Sequence, residues 1–128
     1  MPDTVDAVSK AGYSTRNSIG EHEIQVDSRE EDGPNPTATL LAAYASCFVV
    51  GLRIAARDRG QSGLGTIEIS VTGHRDANRN LEDIEFEVSI ETEMSRADRS
   101  AIVDRAIESC HVGNALSDSL SPSISFPD

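Results

Sequence analysis

Two periods of hydrophobicity take turns along the chain. Ile24 and Val26 alternate with Glu23, Gln25 and Asp27, the pattern of a strand with one wet face. With a weaker signal upstream, this predicts two strands between Gly12 and Asp27, separated by Ser18, Ile19 and Gly20. Residues 1–10 read as a frayed, peripheral start, and the charged stretch Ser28–Gly33 as a loop. The period then lengthens. Leu40, Leu41, Tyr44, Cys47, Phe48, Gly51, Leu52 and Ala55 recur at three- and four-residue spacings. Asn35 caps this helix, Pro36 opens it where a missing N–H costs nothing, and Gly60 stops it. A helix over 36–59 is about 36 Å long at 1.5 Å per residue. Its first half is apolar almost all round, so burial on most sides is expected. One small domain has difficulty covering such a rod, which predicts a second chain against it.

The second half returns to the short period. Ile67, Ile69 and Val71 alternate with Glu68, Ser70 and Thr72, then Asp76–Asn80 reads as a turn. Ile84, Phe86, Val88 and Ile90 face one way, while Glu85, Glu87, Ser89 and Glu91 face the other. The partner of this strand is predicted at 65–73, and the carboxylates read as a solvated sheet face with some mutual repulsion. Ser95 and Asp98 form a capping-box-like pair before a helix carrying Ile102, Val103, Ala106 and Ile107. It is predicted to end near Cys110, with His111, Val112 and Gly113 interrupting the pattern. A short helix over Asn114–Leu120 and a last strand at Ile124 and Phe126 complete the order β-β-α-β-β-α-(short α)-β. No repeat or linker divides the chain, so 1–128 reads as a single α+β domain.

Composition narrows the partners. Asp plus Glu total 22 against 11 Lys plus Arg, a formal net charge of −11, and Lys10 alone is lysine. That field repels phosphate, which argues against nucleic acid and anionic membrane. An acid-rich chain with almost no lysine and few aromatics is also what high salt favours, because salt screens repulsion between carboxylates. The beginning MPDTVDAVSK lacks the basic-plus-apolar pattern of an export signal. The apolar part of Gly33–Leu52 reads as too short for a membrane span. A cytoplasmic location is expected, in which Cys47 and Cys110 are thiols rather than a permanent staple.

Side-chain chemistry offers few other candidates. His22, His74 and His111 are scattered, and with two separate cysteines they make no zinc pattern. No phosphate-binding glycine loop and no GxSxG elbow is present, and no metal or cofactor is expected. A free cysteine on an apolar helical face is by default a small core residue. A two-thiol redox pair is the other reading, and spacing alone does not say whether Cys47 and Cys110 meet.

The stretch Gly33-Pro34-Asn35-Pro36-Thr37-Ala38-Thr39-Leu40-Leu41-Ala42-Ala43-Tyr44-Ala45-Ser46-Cys47-Phe48 resembles the signature of the OsmC/Ohr family. There an Asn/Ser-Pro step opens the central helix and a reactive cysteine follows. Cys110-His111-Val112-Gly113-Asn114-Ala115-Leu116 is similar to the family's second-cysteine segment, with His where the family usually has Pro. The resemblance covers about residues 12–127. It implies an OsmC-like fold, with antiparallel-rich sheets around a long buried central helix, in an interlocked homodimer. It also implies a thiol-dependent peroxidase acting on organic hydroperoxides. In that role Cys47 is the peroxidatic nucleophile, Cys110 the resolving thiol, and an external thiol the reductant.

Such chemistry demands an ionised Cys47. At a pKa near 8.5 about 3% is thiolate at pH 7, and near 6 about 90%. Desolvation pushes the other way, so a cation or strong donor has to reach the sulfur. The resemblance implies an arginine from the N-terminal strand region. Arg16 is the candidate and Arg29 the alternative. Family members also place a glutamate one or two residues after the Asn/Ser-Pro step, where this chain has Thr37 and Ala38; Glu30 and Glu31 are the nearby substitutes. Two other functions stay open. One is a noncatalytic protein binding a small apolar or acyl-like ligand in the dimer cleft, and the other is a different thiol–disulfide activity.

Overall fold

Turn chemistry and strand alternation shape the first of two units. The structure, a computed structural model, describes residues 2–61 and 63–128, and the chain divides into Met1–Leu40 and Leu41–Asp128. In the first unit β1 (Val5–Val8), β2 (Ser14–Ile19) and β3 (His22–Asp27) form an antiparallel sheet in that order. Residues 5–8 are therefore a paired strand rather than a frayed start, held in register by Val5 opposite Ile19 and Val8 opposite Arg16. The hairpin between β2 and β3 turns at Gly20, whose φ of +60° suits glycine.

Asp27 is the buried polar residue that ends β3. Its carboxylate accepts the backbone N–H groups of Arg29 at 2.9 Å and Asp32 at 3.0 Å, and its own N–H donates to the Pro34 carbonyl. One side chain thus ties down the charged loop that delivers the chain to the first helix. Gly33 is needed there, because a Cβ would run into the Gln25 carbonyl oxygen.

The first helix, α1, spans Pro36–Asp58. Asn35 Oδ1 accepts the Ala38 N–H at 2.8 Å, as its capping position requires. At the other end Gly60 adopts φ +75°, and the Gln61 N–H returns to the Ala56 carbonyl at 2.8 Å. By length and composition α1 is apolar enough to cross a membrane, a property that the core helix of a globular protein shares. One face lies in a protein core: Tyr44 and Phe48 pack on Phe86 with ring centroids 5.0 and 5.2 Å apart.

The second unit pairs β4 (Ile67–Arg75) with β5 (Leu81–Ile90) antiparallel, and β6 (Ser123–Ser125) joins β5 in parallel. The register sets Glu68, Glu87 and Glu85 opposite Ser89, Ser70 and Thr72. Cross-strand neighbours are thus hydroxyls, which removes the direct carboxylate opposition that alternation alone would permit. Asp76 organises the intervening turn by accepting the N–H groups of Asn78 and Asn80, both at 2.9 Å.

Helix α2 covers Arg96–Ser109, with the Asp98 N–H donating to the Ser95 cap at 3.1 Å. It approaches α1 closely: a Cβ on Gly51 would lie 3.3 Å from the Ala106 carbonyl oxygen. Phe48 and Leu52 of α1, Ile84, Phe86 and Val88 of β5, and Ile102 and Ala106 of α2 form the core.

The other face of α1 is uncovered by this chain. Leu40, Val50 and Ile54 are 37%, 55% and 41% exposed, and 28% of the helix's most apolar window is buried. Burial on most sides is therefore not achieved within one chain.

Candidate active site

Helical spacing puts Cys47 one turn after Tyr44, and it emerges half-buried near the edge of the core. Cys110 arrives from the far end of α2. Its extended backbone (φ −75°, ψ 104°) breaks that helix and begins the next, α3 (His111–Ala115). Its sulfur accepts the Gly113 N–H at 3.4 Å and its carbonyl accepts the Asn114 N–H at 2.9 Å. The helix pattern thus stops at Cys110 as expected, and residues 111–113 open a separate short helix. The helix expected over Asn114–Leu120 is divided into α3 and a single 3-10 turn at Asp118–Leu120.

This turn brings the two cysteines together as free thiols, Cys110 buried and Cys47 half-buried. Their environments push them apart in acidity. Burial pulls the Cys47 pKa upward, but the Val112 N–H, the Cys110 thiol and the His111 N–H stabilise its anion and together hold it below the ordinary thiol value. Burial raises Cys110, and the neighbouring Cys47 sulfur raises it further, more than the Gly113 and Val112 N–H groups can offset. The surroundings accordingly favour the anion on Cys47 and the proton on Cys110. Tyr44 stands beside them: burial raises its phenol, and charge on Cys110 or Cys47 raises it again.

The strong donors required at Cys47 are thus backbone N–H groups and a second thiol. The sequence called for a cation or a strong donor at Cys47; that the donors come from the backbone was not legible, because a backbone N–H has no letter. Arg16 belongs to the first unit, exposed on β2 opposite Val8 and Gln25. It forms no salt bridge among the described residues. The alternative, Arg29, stacks its guanidinium 4.4 Å above the Tyr13 ring. Glu30 folds back to the helix start, where its carboxylate accepts from Asn35 Nδ2 at 2.7 Å, beside the Thr37–Ala38 positions that lack an acid. His74 pairs with Glu85 at 3.2 Å on the exposed sheet face. Among the described residues no cluster of three or more His, Cys, Asp or Glu side chains is arranged to hold a metal.

Comparison with known proteins agrees with this architecture. The family described as OsmC-like protein matches residues 29–125. An uncharacterized protein of Haloferax volcanii is 36% identical over 113 residues, covering 88% of this chain and 86% of its relative. Among solved structures, an OsmC-like protein from Mycoplasma pneumoniae superposes with a TM-score of 0.87 at 20% identity, covering 98% of this chain and 96% of the other. The organic hydroperoxide resistance protein OhrB of Bacillus subtilis gives 0.74 at 18% identity, covering 98% of each chain. At those identities the structural likeness is one of fold.

Proposed function

The chain belongs to the OsmC-like protein family, and from that membership and the paired thiols we propose a thiol-dependent peroxidase that reduces organic hydroperoxides. One observation carries the reading: two adjacent thiols, the more exposed made more acidic and the buried one less so. That division assigns the roles. The Cys47 thiolate attacks the outer peroxide oxygen, the O–O bond breaks, and the departing alkoxide takes a proton to leave as alcohol. Cys47 is then a sulfenic acid. Burial is the main influence that raises Cys110; oxidation of Cys47 removes the smaller one, the neighbouring negative charge. Cys110 attacks the sulfenic sulfur, water leaves, and a Cys47–Cys110 disulfide forms. Two equivalents of an external thiol reduce it again.

Arg16 is the assigned cation, supported by its place in the N-terminal strand region and by the family resemblance. Glu30 supplies a carboxylate at the helix start in place of the missing acid at Thr37 or Ala38. The two units act as one OsmC-like domain over 1–128. A second copy covers the exposed apolar face of α1 in a homodimer, as the resemblance implies. The acidic balance supports a cytoplasmic protein without nucleic-acid or membrane partners, adapted to high salt.

Stopped-flow mixing of the reduced protein with cumene hydroperoxide tests the cycle. The parent is expected to consume peroxide with formation of one intramolecular disulfide. Cys47→Ser abolishes consumption, and Cys110→Ser stops at the sulfenic acid. A Cys47→Ser protein as fast as the parent, or a reduced parent inert to the peroxide, overturns the assignment.

A further inference from the structure

We infer that Tyr44 is a positioning residue of the thiol pair: its ring, wedged against Gly113, holds the turn that carries Cys110 so that the second sulfur faces Cys47. Tyr44 can have this role only if the two thiols form a disulfide, but it does not require peroxide as the oxidant.

The geometry is a chain of three contacts within one unit. Tyr44 is 4% exposed and meets Phe86, itself wholly buried, edge to face at 5.0 Å. That contact anchors the ring on the sheet side. A Cβ built on Gly113 would stand 2.9 Å from both Cε1 and the hydroxyl oxygen of Tyr44, closer than real carbon contacts come. The ring therefore occupies the space that any larger residue at 113 would need. Gly113 in turn donates its N–H to Cys110 Sγ at 3.4 Å.

Helix α3 is otherwise held by Val112, partly buried against the core, and by Asn114, whose Nδ2 donates to the Glu108 carbonyl at 3.0 Å. It is five residues long and has no fully buried side chain of its own. The His111 and Val112 N–H groups that stabilise the Cys47 anion belong to this same turn. A side chain from the core helix thus helps to hold a short segment whose direction bears on both the acidity of one sulfur and the reach of the other. Displacement of reacting atoms by about 1 Å is enough to slow a step a hundredfold.

Oxidised glutathione tests this without peroxide. The Cys47 thiolate attacks one glutathione sulfur, the disulfide of glutathione breaks, and one glutathione thiolate leaves. Cys110 then attacks the Cys47 sulfur of the mixed disulfide and expels the second. Mass spectrometry of quenched samples separates the two steps, and the pH profile of Cys47 alkylation reports its acidity. Tyr44→Ala is expected to slow ring closure about tenfold or more, to accumulate the mixed disulfide and to move the alkylation profile to higher pH. Tyr44→Phe, which keeps the wedge, stays within about twofold of the parent in both.

Where circular dichroism shows Tyr44→Ala unfolded, Gly113→Ala displaces the same contact from the other side and is expected to slow closure likewise. Parental closure and acidity in the folded Tyr44→Ala protein, parental closure in Gly113→Ala, a Tyr44→Phe protein as slow as Tyr44→Ala, or a parent that forms no disulfide each overturn the role. A parent that closes with glutathione but ignores hydroperoxide removes the peroxidase function and leaves this role standing.

Discussion

Position 111 brings near Cys47 a backbone N–H that a proline there would lack. His111→Pro should therefore raise the Cys47 pKa, and with less thiolate at pH 7 alkylation should slow roughly threefold or more, while His111→Ala keeps the donor and the parental profile. Iodoacetamide labelling of Cys47 across pH measures both variants. Cys47 and Cys110 were legible as letters in recognisable segments; their unequal acidity was not, because it comes from main-chain donors and burial.

Among the elements, the strand ends and loops carried the least sequence signal. Val5–Val8 is short and exposed throughout, with no buried face to give it a period, and it becomes a strand because β2 pairs with it. The loop after β3 was legible as charged, yet its order depends on Asp27. Backbone N–H bonds from Arg29 and Asp32 lower the Asp27 pKa in the folded state. The sign follows: this carboxylate contributes its full stabilisation above the ordinary value near 3.8, and the contribution is lost as pH falls through the lowered folded value. The parent-minus-variant stability difference for Asp27→Asn should accordingly be largest near neutrality and shrink below pH 4. Urea denaturation across pH checks it, and a pH-independent difference would contradict the argument. Amide exchange at Arg29 and Asp32 should also quicken in the variant.

For the molecule as a whole, the apolar stripe of α1 is wider than this chain's own core covers. Its Phe48 and Leu52 face is fully buried by β5 and α2, whereas Val50 and Ile54 lie open on the other side. Val50→Glu should leave the core intact, as near-UV circular dichroism would show, and convert the expected dimer into a monomer in sedimentation velocity. An ionised carboxylate in an apolar seam is too costly to bury unpaired. A Val50→Glu protein that remained a dimer would move the interface elsewhere.

What the sequence determined by itself is local and periodic. The order of the main strands and helices, the Asn35 and Ser95 caps, the Gly60 stop and the apolar stripe of α1 depend on neighbours a few residues away, so they are written in spacing. The meeting of Cys47 with Cys110, the seating of Tyr44 on Gly113, the pairing of β1 and the fold-back of Glu30 needed the tertiary structure. Each joins groups whose approach depends on how elements pack and turn, and neither the packing distance nor the direction of a backbone N–H is carried by residue type.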